Sequence, residues 1–142
     1  MTTTAQAREA VVDRLITAAV LPVTAIALDN EAFEAPTDGS SWIRLVVRNT
    51  ASEQETLGAP GQRKFERRAV VFAQIFVPVD VGANNPVAAI SADGLAATVR
   101  NLFEGVSFGG CNFYGSLIRE GRADGRWWLV VVEAPFTYYE EK

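Results

Sequence analysis

Histidine is absent from the 142 residues. With it go the commonest general base, the commonest metal ligand and the usual near-neutral pH switch. Cysteine occurs once, at Cys111, so no internal disulfide can form, a pattern that fits a reducing compartment. A thiol with no histidine partner also lacks the usual route to an activated nucleophile, and Cys111 reads as a small strand or turn residue. Lys64 and Lys142 are the only lysines. Lys64 sits among arginines, which suits a solvated or interface role better than Schiff-base chemistry. No apolar run approaches the ~20 residues needed to cross a bilayer. The opening MTTTAQAREA lacks the apolar stretch of a signal peptide, so synthesis in the cytosol is the expectation.

Further absences narrow the chemistry. Gly58-Ala59-Pro60-Gly61 puts proline where a phosphate loop needs backbone donors, and no Gly-Lys-Ser/Thr follows. Gly105 and Gly109-Gly110 come after a helical stretch, the wrong context for a dinucleotide fingerprint. The carboxylates show no calcium-loop spacing. No catalytic residue, metal or cofactor is therefore expected. Acidic residues outnumber basic ones by 17 to 13, for a net charge of −4, which argues against nucleic-acid binding through a generally basic surface.

What is present is a chain with 49% hydrophobic and 21% charged residues, a globular composition. At this length it forms one domain, residues 1–142, able to bury about 68% of its unfolded surface. The organising stretch is Arg63 to Asp80, RKFERRAVVFAQIFVPVD. Strand alternation puts Ala69, Val71, Ala73, Ile75 and Val77 on one face, and Val70, Phe72 and Phe76 on the other. A strand apolar on both faces is normally central and covered on both sides. Arg63, Lys64, Glu66, Arg67 and Arg68 charge both faces of its first half. One long strand therefore starts outside the core and ends inside it.

Around it, Thr4 caps a helix predicted over Ala5–Ala19, with Val12, Leu15, Ile16 and Ala19 at helical spacing and Pro22 as its stop. Val23–Leu28 reads as a short strand and Asp29–Ser41 as a polar connection. Trp42–Arg48 alternates as a second strand, and Asn49–Gln62 as a long loop, either functional or a tolerated insertion. Gly82–Pro86 reads as a turn. Val87–Glu104 reads as a second helix with the stripe Ile90, Leu95, Val99, Leu102 and Phe103, closed by Gly105. Gly94 costs this helix about 1 kcal/mol relative to alanine, which suggests close packing there. Val106–Glu120 is predicted as a strand interrupted near Gly109-Gly110, Gly121–Gly125 as a turn, and Arg126–Tyr138 as the last strand. In that strand Trp128, Val130, Val132, Ala134 and Phe136 share one face, and Trp127, Leu129 and Val131 the other.

The order α-β-β-β-α-β-β predicts an α+β fold, a mainly antiparallel sheet of four to five strands with two helices. Two helices cover one sheet face but hardly two. Trp128, Val130, Val132, Val70, Phe72 and Phe76 then need cover from another copy, unless the helices lie on opposite faces. The cluster Arg63, Lys64, Arg67 and Arg68 has two readings. One is a solvated hairpin end; the other is a salt-bridged contact with Glu31 and Glu34, or Glu53 and Glu55, of a neighbouring copy.

In its order of pieces the chain resembles the tail terminator proteins, the minor tail proteins of long-tailed bacteriophages. The likeness runs over nearly the full length. It begins with an amphipathic first helix, then Phe33–Pro36 leading into Trp42-Ile43-Arg44, then Leu57-Gly58. A basic start at Arg63–Arg68 feeds the apolar strand that ends in Pro78 and Gly82. The second helix ends in Leu102-Phe103-Glu104-Gly105, and Arg119-Glu120-Gly121-Arg122 runs into Trp127-Trp128 and Phe136–Tyr139. The resemblance implies a structural, non-enzymatic virion protein of the tail, assembled in the bacterial cytoplasm. Its homo-oligomer, usually a hexameric ring, sits on the last ring of tail-tube protein, stops polymerisation, and presents a surface to the head-completion or connector protein. The genome passes through such a ring without specific binding, and no membrane is involved. Interface candidates on this reading are Arg63, Lys64, Arg67, Arg68, Glu53, Glu55 and Trp128. Two other classes remain open: a phage neck or head–tail connector protein, and a small ligand-binding α+β domain with the two tryptophans as a pocket wall.

Overall fold

The computed structural model describes residues 2–29, 31–79 and 87–142. Asp80 and the predicted turn at Gly82–Pro86 lie outside the described residues.

Helix α1 spans Thr4–Thr17, and its cap is Thr3, one residue earlier than predicted. The reason is Gln6. Its backbone N–H donates to Thr3 Oγ1 at 3.2 Å while its side chain accepts from Thr3 N at 2.9 Å. Such a reciprocal box satisfies two orphan donors, and losing a cap of this kind costs about 1 kcal/mol. Thr4 is freed to bond the Tyr138 hydroxyl at 2.9 Å. The helix stops short of the predicted end because Ala19 turns left-handed at φ 52°. Its buried stripe is Ala7, Val11 and Leu15, with Val12 and Ile16 only flanking the core.

A 3-10 turn, Val23–Ala25, shortens the next strand to β1, Ile26–Ala27. Strand β2 is Trp42–Gln54, β3 is Lys64–Pro78, helix α2 is Val87–Leu102, and the last strand, β7, is Trp127–Glu141. The predicted strand over 106–120 is three pieces. Strand β4 (Ser107–Phe108) turns through Gly109 and Gly110, at φ 55° and 80°, into β5 (Cys111–Phe113), and β6 (Leu117–Asp124) follows. Both glycines adopt a left-handed backbone, the requirement of a tight hairpin turn. The last turn is tighter than predicted, because β6 continues to Asp124.

The sheet among the described residues has seven strands, ordered β1-β2-β3-β7-β5-β4, with β6 also on β7. The α+β class and the two helices stand. The predicted count of four to five strands, and two strands after the second helix, are corrected to seven and four. All pairs are antiparallel except β1 with β2. As the sequence suggested, β3 is central, flanked along its length by β2 and β7. Beyond β7 the neighbour changes midway: Cys111 and Phe113 sit opposite Tyr138 and Phe136, while Leu117–Asp124 lie against Glu133–Trp127.

Both helices pack on one sheet face. Ala7, Val11 and Leu15 of α1 and Ala92, Ala96 and Val99 of α2 join Ile43, Leu45, Val71, Ile75, Val130 and Val132 in one core. Phe103 and Phe113, with ring centres 5.3 Å apart, close its end beneath Phe136. Each such aromatic contributes about 1.5–3 kcal/mol by burial. The stripe of α2 is displaced from the predicted one. Ile90 is 65% exposed, and a Cβ on Gly94 would meet nothing within 4 Å, so no close packing within the chain explains that glycine.

Candidate functional site

The register of β3 against β7 decides which apolar residues lack cover. Ile75 pairs with Val130 and Ala73 with Val132, so Val130 and Val132 share the helix-covered face and are buried. Val70, Phe72 and Phe76 lie on the other face, with Leu129 and Val131. The sequence reading grouped residues from opposite faces, and this corrects it. Trp128 also belongs to the helix side. Its indole lies over Gly121, where an added Cβ would come within 2.7 Å of Cζ2, and it packs against the main core. As an interface candidate Trp128 is already occupied within its own chain.

Among the described residues the second sheet face is covered at one end only. Trp42 stacks on Phe76 at 4.0 Å, Phe33 from the 31–41 stretch tilts against Trp42 at 5.0 Å, and Trp127 meets Trp42 edge-on at 6.1 Å. Leu129, Ala25 and Ala27 complete this small second core. The polar connection of the sequence reading thus supplies the lid. Beyond it the face is open. Val46, Val70, Phe72 and Val131 are half-buried, and Leu117 and Tyr114 are exposed.

At this end of the sheet β2 and β3 run on as an arm of exposed and half-buried residues, while Thr137 and Tyr138 of β7 beside them stay buried, Tyr138 within the main core. Ala51–Gln54 of β2 pairs with Phe65–Arg68 of β3, which in turn pairs with Thr137–Glu140 of β7. The sequence placed a loop from Asn49 onward. Instead, a bulge at Asn49/Ala51 resets the register and pairing resumes, leaving residues 55–63 as the connection. Local propensity in Asn-Thr-Ala-Ser-Glu-Gln is poor; pairing with β3 overrides it. At the tip Leu57 is 96% exposed.

The arm holds six of the seven interface candidates, and each makes polar contacts inside the chain. Arg68 pairs with Glu66 at 2.7 Å and Glu53 at 3.5 Å, and Lys64 with Glu55 at 3.6 Å. Arg67 reaches Glu140 at 3.9 Å, donates to Ser52 Oγ and lies 5.1 Å from the Phe65 ring centre. Arg63 donates to the Gly58 carbonyl at 2.9 Å. Glu53 and Glu55, one suggested acidic partner set of another copy, are thus engaged by the chain's own cations. The hydrogen bond from Arg68 holds the Glu66 carboxyl below its ordinary value. The nearby Glu55 carboxylate pushes the Tyr139 hydroxyl up.

A cleft of about 360 Å³ lies at the arm's base, between Thr50, Arg68, Val70, Tyr114 and Thr137. Among the described residues no group of His, Cys, Asp or Glu is arranged to hold a metal ion. Cys111 is buried, and desolvation pushes its thiol up to about 11. No described helix is long and apolar enough to cross a membrane.

No family model matches the chain, and no curated protein matches it. Solved structures do. One that bears no functional name aligns over 97% of this chain and 96% of its own, with a TM-score of 0.67 at 18% identity. That likeness establishes a shared fold across the whole length, and the fold alone.

Proposed function

We propose that the protein is a structural subunit that assembles as a homo-oligomeric ring on the end of a phage tail tube. There it stops tube polymerisation and presents the surface on which the head docks. The carrying observation is the sheet face that both helices leave uncovered, continued by the exposed ends of β2 and β3 and the connection between them. A half-buried row of Val46, Val70, Phe72 and Val131 stabilises an assembly by its removal from water, at about 25 cal/mol per Å² of apolar surface. The arm extends each subunit towards a neighbour or towards the tube, with Leu57 exposed at its tip as an apolar anchor. Binding of this kind needs complementary surfaces and no bond chemistry. The order of motifs described above supplies the phage-tail context, and the acidic balance of the chain suits a bore that DNA traverses without sticking.

The test is direct. Purified protein is added to tail-tube subunits during polymerisation, and tube lengths are measured by electron microscopy. Shortened tubes with an added ring of density at one end are expected. Tubes of unchanged length and bare ends, over a range of protein excess, would refute the proposal.

A further inference from the structure

The charge on the open face is lopsided for so acidic a chain. In register across the sheet, Arg44 lies beside Gln74, Val131 and Arg119, and Arg48 beside Val70 and Pro135. Among the described residues the carboxylate on this band, Glu133, is taken by Arg119 through two bonds of 2.6 and 3.1 Å. Arg44 and Arg48 are exposed and have no carboxylate partner among the described residues. Arg44 lies 5.6 Å from the Trp42 ring centre. In contrast, Arg67, Arg68 and Lys64 on the arm are all neutralised by acids of the same chain.

The matching acidic surface is the stretch 31–38. Glu31 and Glu34 are exposed and have no cationic partner among the described residues, while Phe33 between them is packed on Trp42. The stretch is therefore held in place with its carboxylates turned outward. Exposed Ala32 adds a small apolar contact alongside them.

We propose that the open sheet face, through Arg44 and Arg48, receives the acidic 31–38 stretch of a second copy of this chain. The inference rests on the ring assembly proposed above and names the two surfaces that meet. Used head to tail, this contact is heterologous and propagates until a ring closes. Like charges juxtaposed at an interface are strongly unfavourable, so an acidic stretch is the occupant that suits the arginines.

Charge reversal tests this by sedimentation and native mass spectrometry of the full-length protein. R44E/R48E and E31R/E34R should each raise the dissociation constant for self-association by roughly tenfold or more. Combining all four changes should restore association, which no loss of folding could mimic. Reversal of the two exposed carboxylates on α1, E9R/D13R, should leave association unchanged. Wild-type association that survives both reversals, or that E9R/D13R abolishes while E31R/E34R does not, would overturn this inference and leave the ring standing. Wild-type protein that stays monomeric in solution and on isolated tails would overturn both. Binding of duplex DNA that R44E/R48E alone removes, with self-association intact, would assign the arginines to nucleic acid and overturn the inference.

Discussion

Gly121→Ala is the most diagnostic single change in the sheet. Gly121 lies in β6 at the irregularity between Arg119 and Arg122, and its backbone is not in the left-handed region. The substitution therefore acts through space alone. The new methyl would stand within 2.7 Å of Trp128 Cζ2, where carbon atoms settle at about 3.5–4.0 Å. The indole has to retreat by about 1 Å and lose contact with the main core. Overpacking of this size costs about 1–3 kcal/mol, a fall in Tm of roughly 3–12 °C for a chain of this length. The assay is urea and thermal unfolding of G121A, W128L and the double variant. In the W128L background the alanine should cost at least about 1 kcal/mol less, since contacting residues are coupled. Self-association of W128L should match that of the parent. Equal costs of Gly121→Ala in both backgrounds would refute the steric argument. Loss of assembly in a folded W128L protein would return Trp128 to the interface.

Replacing residues 56–62 by a two-residue turn should leave the Tm unchanged, because the Glu55–Lys64 backbone bond closes the strands before them. It should weaken assembly by removing Leu57, and tail termination at the parent's level would reduce the loop to a spacer. Below about pH 4.5, stability should fall more steeply in the parent than in E66Q. The carboxyl of Glu66 is held below its ordinary 4.5, chiefly by Arg68, so its contribution is present above that value and disappears as pH drops through the lower folded-state value. Parallel pH profiles of the urea midpoint would contradict this. Cys111, buried and with its thiol pushed up to about 11, should react with a thiol reagent at neutral pH only as fast as the chain unfolds. Prompt labelling of the folded protein would contradict its burial.

Periodicity carried the parts of the fold whose pattern is local. The two faces of Ala69–Val77 and the existence of both helices follow from side-chain spacing and backbone sterics, and both are found. The predicted close at Gly105 is corrected: α2 ends at Leu102, and Gly105, left-handed at φ 61°, donates its N–H to the Tyr114 carbonyl at 2.9 Å and not to a helix carbonyl. The cap moved to Thr3 because a reciprocal bond with Gln6 outweighs a one-residue shift in the apolar pattern. What no window of sequence contains is which faces of separate strands coincide. Trp128 and Val70 look equally in need of cover until pairing of Ile75 with Val130 puts the tryptophan beneath the helices' side and over Gly121. The same holds for the arm. Asn49–Gln54 has no strand pattern of its own, and only the hydrogen-bonding edge of β3 holds it extended. Charge behaved likewise. The sequence showed a basic cluster at Arg63–Arg68, but cross-strand neighbours supply it with carboxylates, while Arg44 and Arg48, on one face of β2 with Val46 between them, find no carboxylate partner among the described residues.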